Sequence, residues 1–243
     1  MKLLNAIRQQ IPNIITLGNL TCGVIACHLA SNGFIRLAAV WICAGIFLDF
    51  FDGLAARLLG VASPIGKELD SLADVVTSGV APGLILFEMG TALGEHYDGD
   101  PLWVVAVNCL ALLTPVLAAY RLAKFNLDAR QGHSFLGLPA PANALIWVGL
   151  ALQGTATWPP ALIIGILCLS VLTGILMVSE MPMFSLKFNF KDLSWKSNSV
   201  QYLFLTGCAA IIAASRQWYA ISLIILWYAL LSLITQRKVT ANE

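Results

Sequence analysis

Charge is what this sequence has least of. Aspartate, glutamate, lysine and arginine supply 11% of its 243 residues, against 58% hydrophobic residues, where a soluble domain carries about 25% charged residues. That shortage excludes a surface facing water on all sides, so the chain reads as one polytopic membrane domain. The net charge of +1 excludes the basic excess of a nucleic-acid binder, and no nucleic-acid partner is expected. There is no CxxC pair. Cys22, Cys27, Cys43, Cys109, Cys168 and Cys208 all lie inside apolar runs and read as small buried hydrophobes. His28, His96 and His133 stand far apart and suggest no metal cluster. The start, MKLLNAIRQQIPN, has no uninterrupted apolar core before a small-residue cleavage site, so no cleavable signal peptide is expected. No serine or cysteine is set up as a nucleophile.

Long apolar runs are plentiful. They fall at about 14–30, 34–58, 69–92, 102–122, 141–156, 159–179, 200–215 and 218–235. A span needs roughly 20 residues to cross a ~30 Å hydrocarbon core. The expected fold is therefore all-α, a membrane bundle of about eight transmembrane helices, with the fifth and seventh the least well bounded. Leu3, Leu4, Ile7 and Ile11 share one face at helical spacing, which predicts a short amphipathic helix over 1–12 ahead of the bundle. Pro12 suits the first turn of the next helix. Residues 13–236 then form a single transmembrane domain, followed by a tail over 237–243.

The cations test this layout. With eight spans, the terminal segments and the loops near 57–68, 121–140 and 180–199 share one side and hold 12 of the 14 lysines and arginines. Arg36 and Arg216 fall opposite, beside an acidic loop with Glu88, Glu95, Asp98 and Asp100. The positive-inside rule makes the basic side cytoplasmic, with both termini inside a multi-pass cell-membrane protein.

The acids are more informative. Asp49, Asp52, Glu68, Asp70 and Asp74 crowd into 26 residues. A charge near hydrocarbon costs ~2.5–3.5 kcal/mol on insertion scales, and clustered carboxylates repel one another. A bound divalent cation offsets both penalties, and an all-oxygen set suits Mg²⁺, Mn²⁺ or Ca²⁺. Asp49 and Asp52 are i, i+3 and Asp70 and Asp74 are i, i+4, so each pair projects from one helical face. A short linker makes the two helices antiparallel neighbours whose faces meet. Gly53, Ala55 and Ala56 keep that surface small, and Arg57 reaches toward phosphate at headgroup level. Glu68 is left as a headgroup-level charge.

The full string is Asp49-x2-Asp52-Gly53-x2-Ala56-Arg57, then Gly66-x3-Asp70-x3-Asp74. It resembles the signature of the CDP-alcohol phosphatidyltransferase family, membrane enzymes that move a phosphatidyl-type group from a CDP-linked lipid to an alcohol and release CMP. The resemblance implies that Asp49, Asp52 and Asp70 are metal ligands and that Asp74 completes the site and acts as general base. The expected cofactor is Mg²⁺ or Mn²⁺, one or two ions, with Ca²⁺ able to occupy the same ligands in a crystal. Gly53, Ala56, Arg57, Ser63 and Gly66 would contact the CDP-lipid, together with Asn13, Thr16 and Asn19 from Pro12–Leu20, which resembles the family's first-helix segment.

Four further stretches are similar to the family's phosphatidylserine synthase branch: Glu68–Asp74, Tyr120–Asn126, Gly137–Asn143 and Met181–Phe188. They imply CDP-diacylglycerol and L-serine as substrates, membrane lipids as surroundings, and a possible homodimer. Arg121, Lys124, Asn126 and Asn143 are the acceptor-binding candidates. The same cations, with Arg130, are equally accounted for as topology residues or lipid anchors. Two rivals stay open: another acceptor within the family, such as glycerol 3-phosphate or an inositol compound, and an ion-coupled transporter.

Overall fold

A computed structural model describes residues 2–61, 63–96, 102–128, 136–154, 158–184 and 195–239. Ten α-helices carry nearly all of them: α1 (Lys2–Ala30), α2 (Ile35–Leu59), α3 (Pro64–Asp74), α4 (Ala81–His96), α5 (Leu102–Asn108), α6 (Leu113–Leu127), α7 (Ala140–Gln153), α8 (Pro160–Val178), α9 (Trp195–Ser215) and α10 (Ala220–Val239). A π-helical segment, Val75–Val80, joins α3 to α4, and a 3₁₀ turn, Cys109–Leu112, joins α5 to α6. Among the described residues the one extended pairing is an isolated bridge between Leu136 and Pro182.

The chain is a multi-pass helical membrane protein. Among the described residues six stretches are long and apolar enough to cross a membrane: Gln10–Ala30, Ile35–Leu59, Pro64–Gly94, Leu102–Leu127, Pro160–Val178 and Asn198–Ser215. Ala140–Gln153 and Ala220–Thr235 are apolar but shorter. The 14 residues of α7 reach about 21 Å at 1.5 Å per residue, less than the hydrocarbon thickness. Pro139 precedes α7 and Gly154 ends it, and its Ala144, Ile146, Trp147 and Val148 are wholly buried. It is a core helix that the other elements surround.

Three boundaries differ from the sequence reading. The amphipathic turns predicted over 1–12 are not a separate helix, because α1 runs unbroken through Pro12. Proline leaves the Arg8 carbonyl without its usual helical donor, and the helix continues past that missing bond. The third span starts at Pro64 and not near 69, since Ser63 caps it, its Oγ accepting the Gly66 amide at 3.0 Å. The last helix continues to Val239, into the segment read as a tail. Arg130, Lys187 and Lys191, counted among the basic-side residues, lie outside the described residues.

Two apolar clusters share the interior. One joins α1, α2, α4 and α7 around Ile42, Ile85 and Val148. The other joins α4, α6, α7, α8 and α10 around Trp147, Leu167 and Leu86. The π segment projects Thr77 between α1 and α2. A Cβ on Gly23 would overlap the Thr77 hydroxyl, and one on Gly45 would lie 2.6 Å from Thr77 Cγ2 and 2.8 Å from Asn19 Oδ1. Small residues are therefore what let the first three spans close on one another. Gly45→Val should overpack this contact by about 1–3 kcal/mol, seen as a lower thermal midpoint in detergent.

Candidate active site

α2 ends at Leu59 and α3 begins at Pro64, and both pack against α1. Asp49 and Asp52 project from α2 and Asp70 from α3, and one carboxylate oxygen of each lies within 4.8 Å of the others. Asp52 is buried, at 6% exposure, while Asp49 and Asp70 are half-buried. Among the described residues none of the three has an ion-pair partner; the ion pair that forms is Lys124–Glu180. Three hard oxygen donors converging without a balancing side-chain cation are a set that fits a divalent ion.

Asp74 stands outside that triad. It lies one helical turn beyond Asp70, is 8% exposed, and its Oδ1 accepts the Asn19 amide at 3.4 Å. Asn19 in turn accepts the Thr77 hydroxyl on its backbone carbonyl at 3.1 Å. Thr16 donates to Asp52 Oδ2 at 2.6 Å. So α1 supplies the hydrogen bonds that orient carboxylates on α2 and α3. The π segment begins directly after Asp74, and π turns recur at functional sites.

Beside the triad lies a cleft of about 250 Å³, walled by Asn13, Thr16, Gly53, Ala56, Ser63 and Gly66 together with Pro12, Asp52, Val61, Lys67 and Asp70. Six of the eight CDP-lipid candidates therefore meet at one cavity. Gly66 lets the walls approach, since a Cβ there would come within 3.0 Å of Ser63 Oγ and 3.1 Å of Asn13 Oδ1. Asn19 and Arg57 do not line it. Asn19 serves Asp74, and Arg57 folds back along α2, donating Nε to the Gly53 carbonyl at 3.0 Å. Glu68 is exposed, in keeping with its reading as a surface charge.

The acceptor candidates divide in two. Lys124 pairs with Glu180 at 3.2 Å, and Asn126 donates to Ser71 Oγ at 2.8 Å. Arg121 and Asn143 differ. Arg121 is 8% exposed, Asn143 is wholly buried, and Arg121 Nε and both amide atoms of Asn143 have no hydrogen-bond partner. The Arg121 guanidinium lies 5.3 Å from the Phe125 ring centre, near enough to Asp74 for the two charges to interact. The Gly137–Asn143 string has a structural cause: Gly137 takes φ 71°, and a Cβ there would collide with carbonyl oxygens at the end of α8, Ser179 O at 2.8 Å among them.

Lys67, Ser71, Thr77 and Glu180 are site-region residues that sequence reasoning left without a task. Lys67 and Ser71 flank Asp70 in the signature itself, a placement that could have marked them. Nothing local marks Thr77 or Glu180, whose partners lie 58 and 56 residues away in the chain. Thr16→Val should weaken divalent-ion binding about tenfold or more, as loss of a ligand-orienting bond does. Thr16→Ser should restore it. Calorimetric titration of the purified protein with Mn²⁺ checks both.

Similarity to known proteins agrees with this geometry. Residues 9–183 match the model of the family described as CDP-alcohol phosphatidyltransferase. The CDP-diacylglycerol–serine O-phosphatidyltransferase of Bacillus subtilis (strain 168) is 38% identical over 141 residues, 58% of this chain and 75% of that protein. The enzyme of that name from Mycobacterium leprae (strain TN) is 36% identical over 191 residues, 72% of this chain and 58% of that protein. That from Helicobacter pylori (strain J99) is 33% identical over 196 residues, 76% of this chain and 74% of that protein. The matched stretch begins before Asn13 and ends beyond Glu180, so it takes in the aspartate triad, the cleft and the polar groups around Arg121, and the chain belongs to the CDP-alcohol phosphatidyltransferase family.

Proposed function

We propose that this protein transfers the phosphatidyl group of CDP-diacylglycerol to the hydroxyl of L-serine, giving phosphatidylserine and CMP. The observation that carries the reading is the convergence of Asp49, Asp52 and Asp70 beside a cleft that Asp52 and Asp70 line together with the signature's small residues. The serine acceptor is supported by the names of the relatives, which are CDP-diacylglycerol–serine O-phosphatidyltransferases.

Mg²⁺ or Mn²⁺ on Asp49, Asp52 and Asp70 would relieve charge on the pyrophosphate oxygens. The cleft takes the nucleotide side of the donor, with Gly53, Ala56 and Gly66 leaving room for close approach. Asp74 is the proposed base. As the serine oxygen bonds to the lipid-linked phosphorus, its proton passes to Asp74, and the bond to CMP breaks with CMP taking the electron pair. Asn19 holds that carboxylate in place. Transfer is direct, with no phosphatidyl-enzyme: the hydroxyls that line the cleft are engaged within the protein, Thr16 with Asp52 and Ser63 with the Gly66 amide. Positioning and electrostatics supply the rate.

Arg121 is the proposed partner for the serine carboxylate, and Asn143 for its amine or hydroxyl. Buried polar atoms without partners are costly unless a ligand satisfies them, and both residues carry such atoms. Lys124 and Asn126 are engaged with protein groups and drop out of the proposed pocket. The protein sits in the cell membrane with this end of the bundle, and both termini, on the cytoplasmic side, where serine and nucleotide are dissolved. The excess of cations on that side supports the orientation.

Each of Asp49→Asn, Asp52→Asn, Asp70→Asn and Asp74→Asn should lower CMP release from CDP-diacylglycerol plus serine by at least about a hundredfold. Wild-type turnover in Asp74→Asn would remove it as the base. Arg121→Ala should raise the serine KM about tenfold or more, the loss expected of a charge-assisted bond, with the donor KM little changed. A screen of serine, glycerol 3-phosphate and inositol acceptors, following CMP, tests the substrate assignment. Liposome uptake of ions without CMP release would favour a transporter.

A further inference from the structure

Asn126 sits at the end of α6, and its bonds form a closed ring with two residues of α3. Its side-chain amide donates to Ser71 Oγ at 2.8 Å. Ser71 Oγ donates to the Lys67 carbonyl at 3.2 Å. Lys67 Nζ donates to the Asn126 carbonyl at 3.0 Å. The serine hydroxyl thus accepts and donates at once, so the two bonds that meet on it polarise one another. Lys67 and Ser71 are one turn apart and bracket Asp70, and Asp74 follows one turn later. The extensive packing of α3 is against α1 and the π segment, and the ring joins its outer side to α6, the helix that carries Arg121.

We propose that Asn126 is a positioning residue. Through Ser71 it sets the rotation of α3, and so the placing of Asp70 in the triad and of Asp74 opposite Arg121. It does not touch the acceptor. The geometry argues for this directly. The amide of Asn126 is committed to Ser71, and Ser71 neighbours a proposed ligand without lining the cleft. A helix that turns slightly about its axis moves a carboxylate by about an ångström, and displacements of that size cost about a hundredfold in a positioned reaction. Loss of one bond of three should cost less, about tenfold.

This inference rests on the proposed donor chemistry, and two measurements keep the two separable. The first is steady-state CMP release by Asn126→Ala, Ser71→Ala, the double variant and Ser71→Thr. The expected result is a kcat about tenfold lower in both single variants, an unchanged serine KM, a double variant no worse than Asn126→Ala, and recovery in Ser71→Thr, which keeps the hydroxyl. A raised serine KM in Asn126→Ala with normal Ser71→Ala would overturn the proposal and return Asn126 to the acceptor pocket. Additive losses, or wild-type kcat in both single variants, would also overturn it. The second is Mn²⁺ binding followed by electron paramagnetic resonance, which reads the triad without turnover. Both single variants should bind Mn²⁺ about tenfold more weakly, and wild-type affinity in both would overturn the proposal. Absence of CMP release by the wild-type protein with every acceptor would instead overturn the proposed function and leave the Mn²⁺ result to judge Asn126.

Discussion

Three carboxylates whose oxygens approach within 4.8 Å repel one another, and half-burial at a helix end strengthens that repulsion. Much of the local architecture can be understood as the means of holding them together. Four residues separate α2 from α3, and α3 packs chiefly against α1. Gly53, Ala55 and Ala56 follow Asp52, and Gly66 precedes Asp70. Thr16 and Asn19 reach across from α1 to hydrogen-bond Asp52 and Asp74. A divalent cation held by the three oxygens would offset that repulsion.

The same constraint accounts for the π segment. An α-helix continued regularly from Asp74 would bring a different face of the third span toward α1 and α2. The wider π turn presents Thr77 to the gap that Gly23 and Gly45 leave, and its hydroxyl bonds the carbonyl of Asn19. The residue that orients Asp74 is thus itself held by the span that carries Asp74. Interior packing and site geometry are one network here, which is why the glycines of the first two spans matter to chemistry they do not touch.

On the far side of Asp74 the structure is built from polar ends. Arg121, Lys124 and Asn126 follow one another along the last turns of α6 but have three different surroundings: burial near Asp74, an ion pair with Glu180, and the ring with Ser71 and Lys67. Only the first leaves a charged group with an unsatisfied buried atom. This distinction separates residues that composition alone would treat alike.

The sequence by itself determined the class and the family. Its charge deficit required a membrane fold, and the i, i+3 spacing of Asp49 and Asp52, with Asp70 after a short connection, marked the three acids that converge. It also carried the candidates for the cleft, six of which meet there. What only the tertiary structure decided were relations between distant residues. Local periodicity is blind to a proline tolerated within α1, to a 14-residue helix buried by its neighbours, and to the π turn. It cannot tell Arg121 from Lys124, since both are cations one turn apart. Their difference is set by Glu180, 56 residues from Lys124, and by the enclosure around Asp74, both of which exist only once the helices have packed.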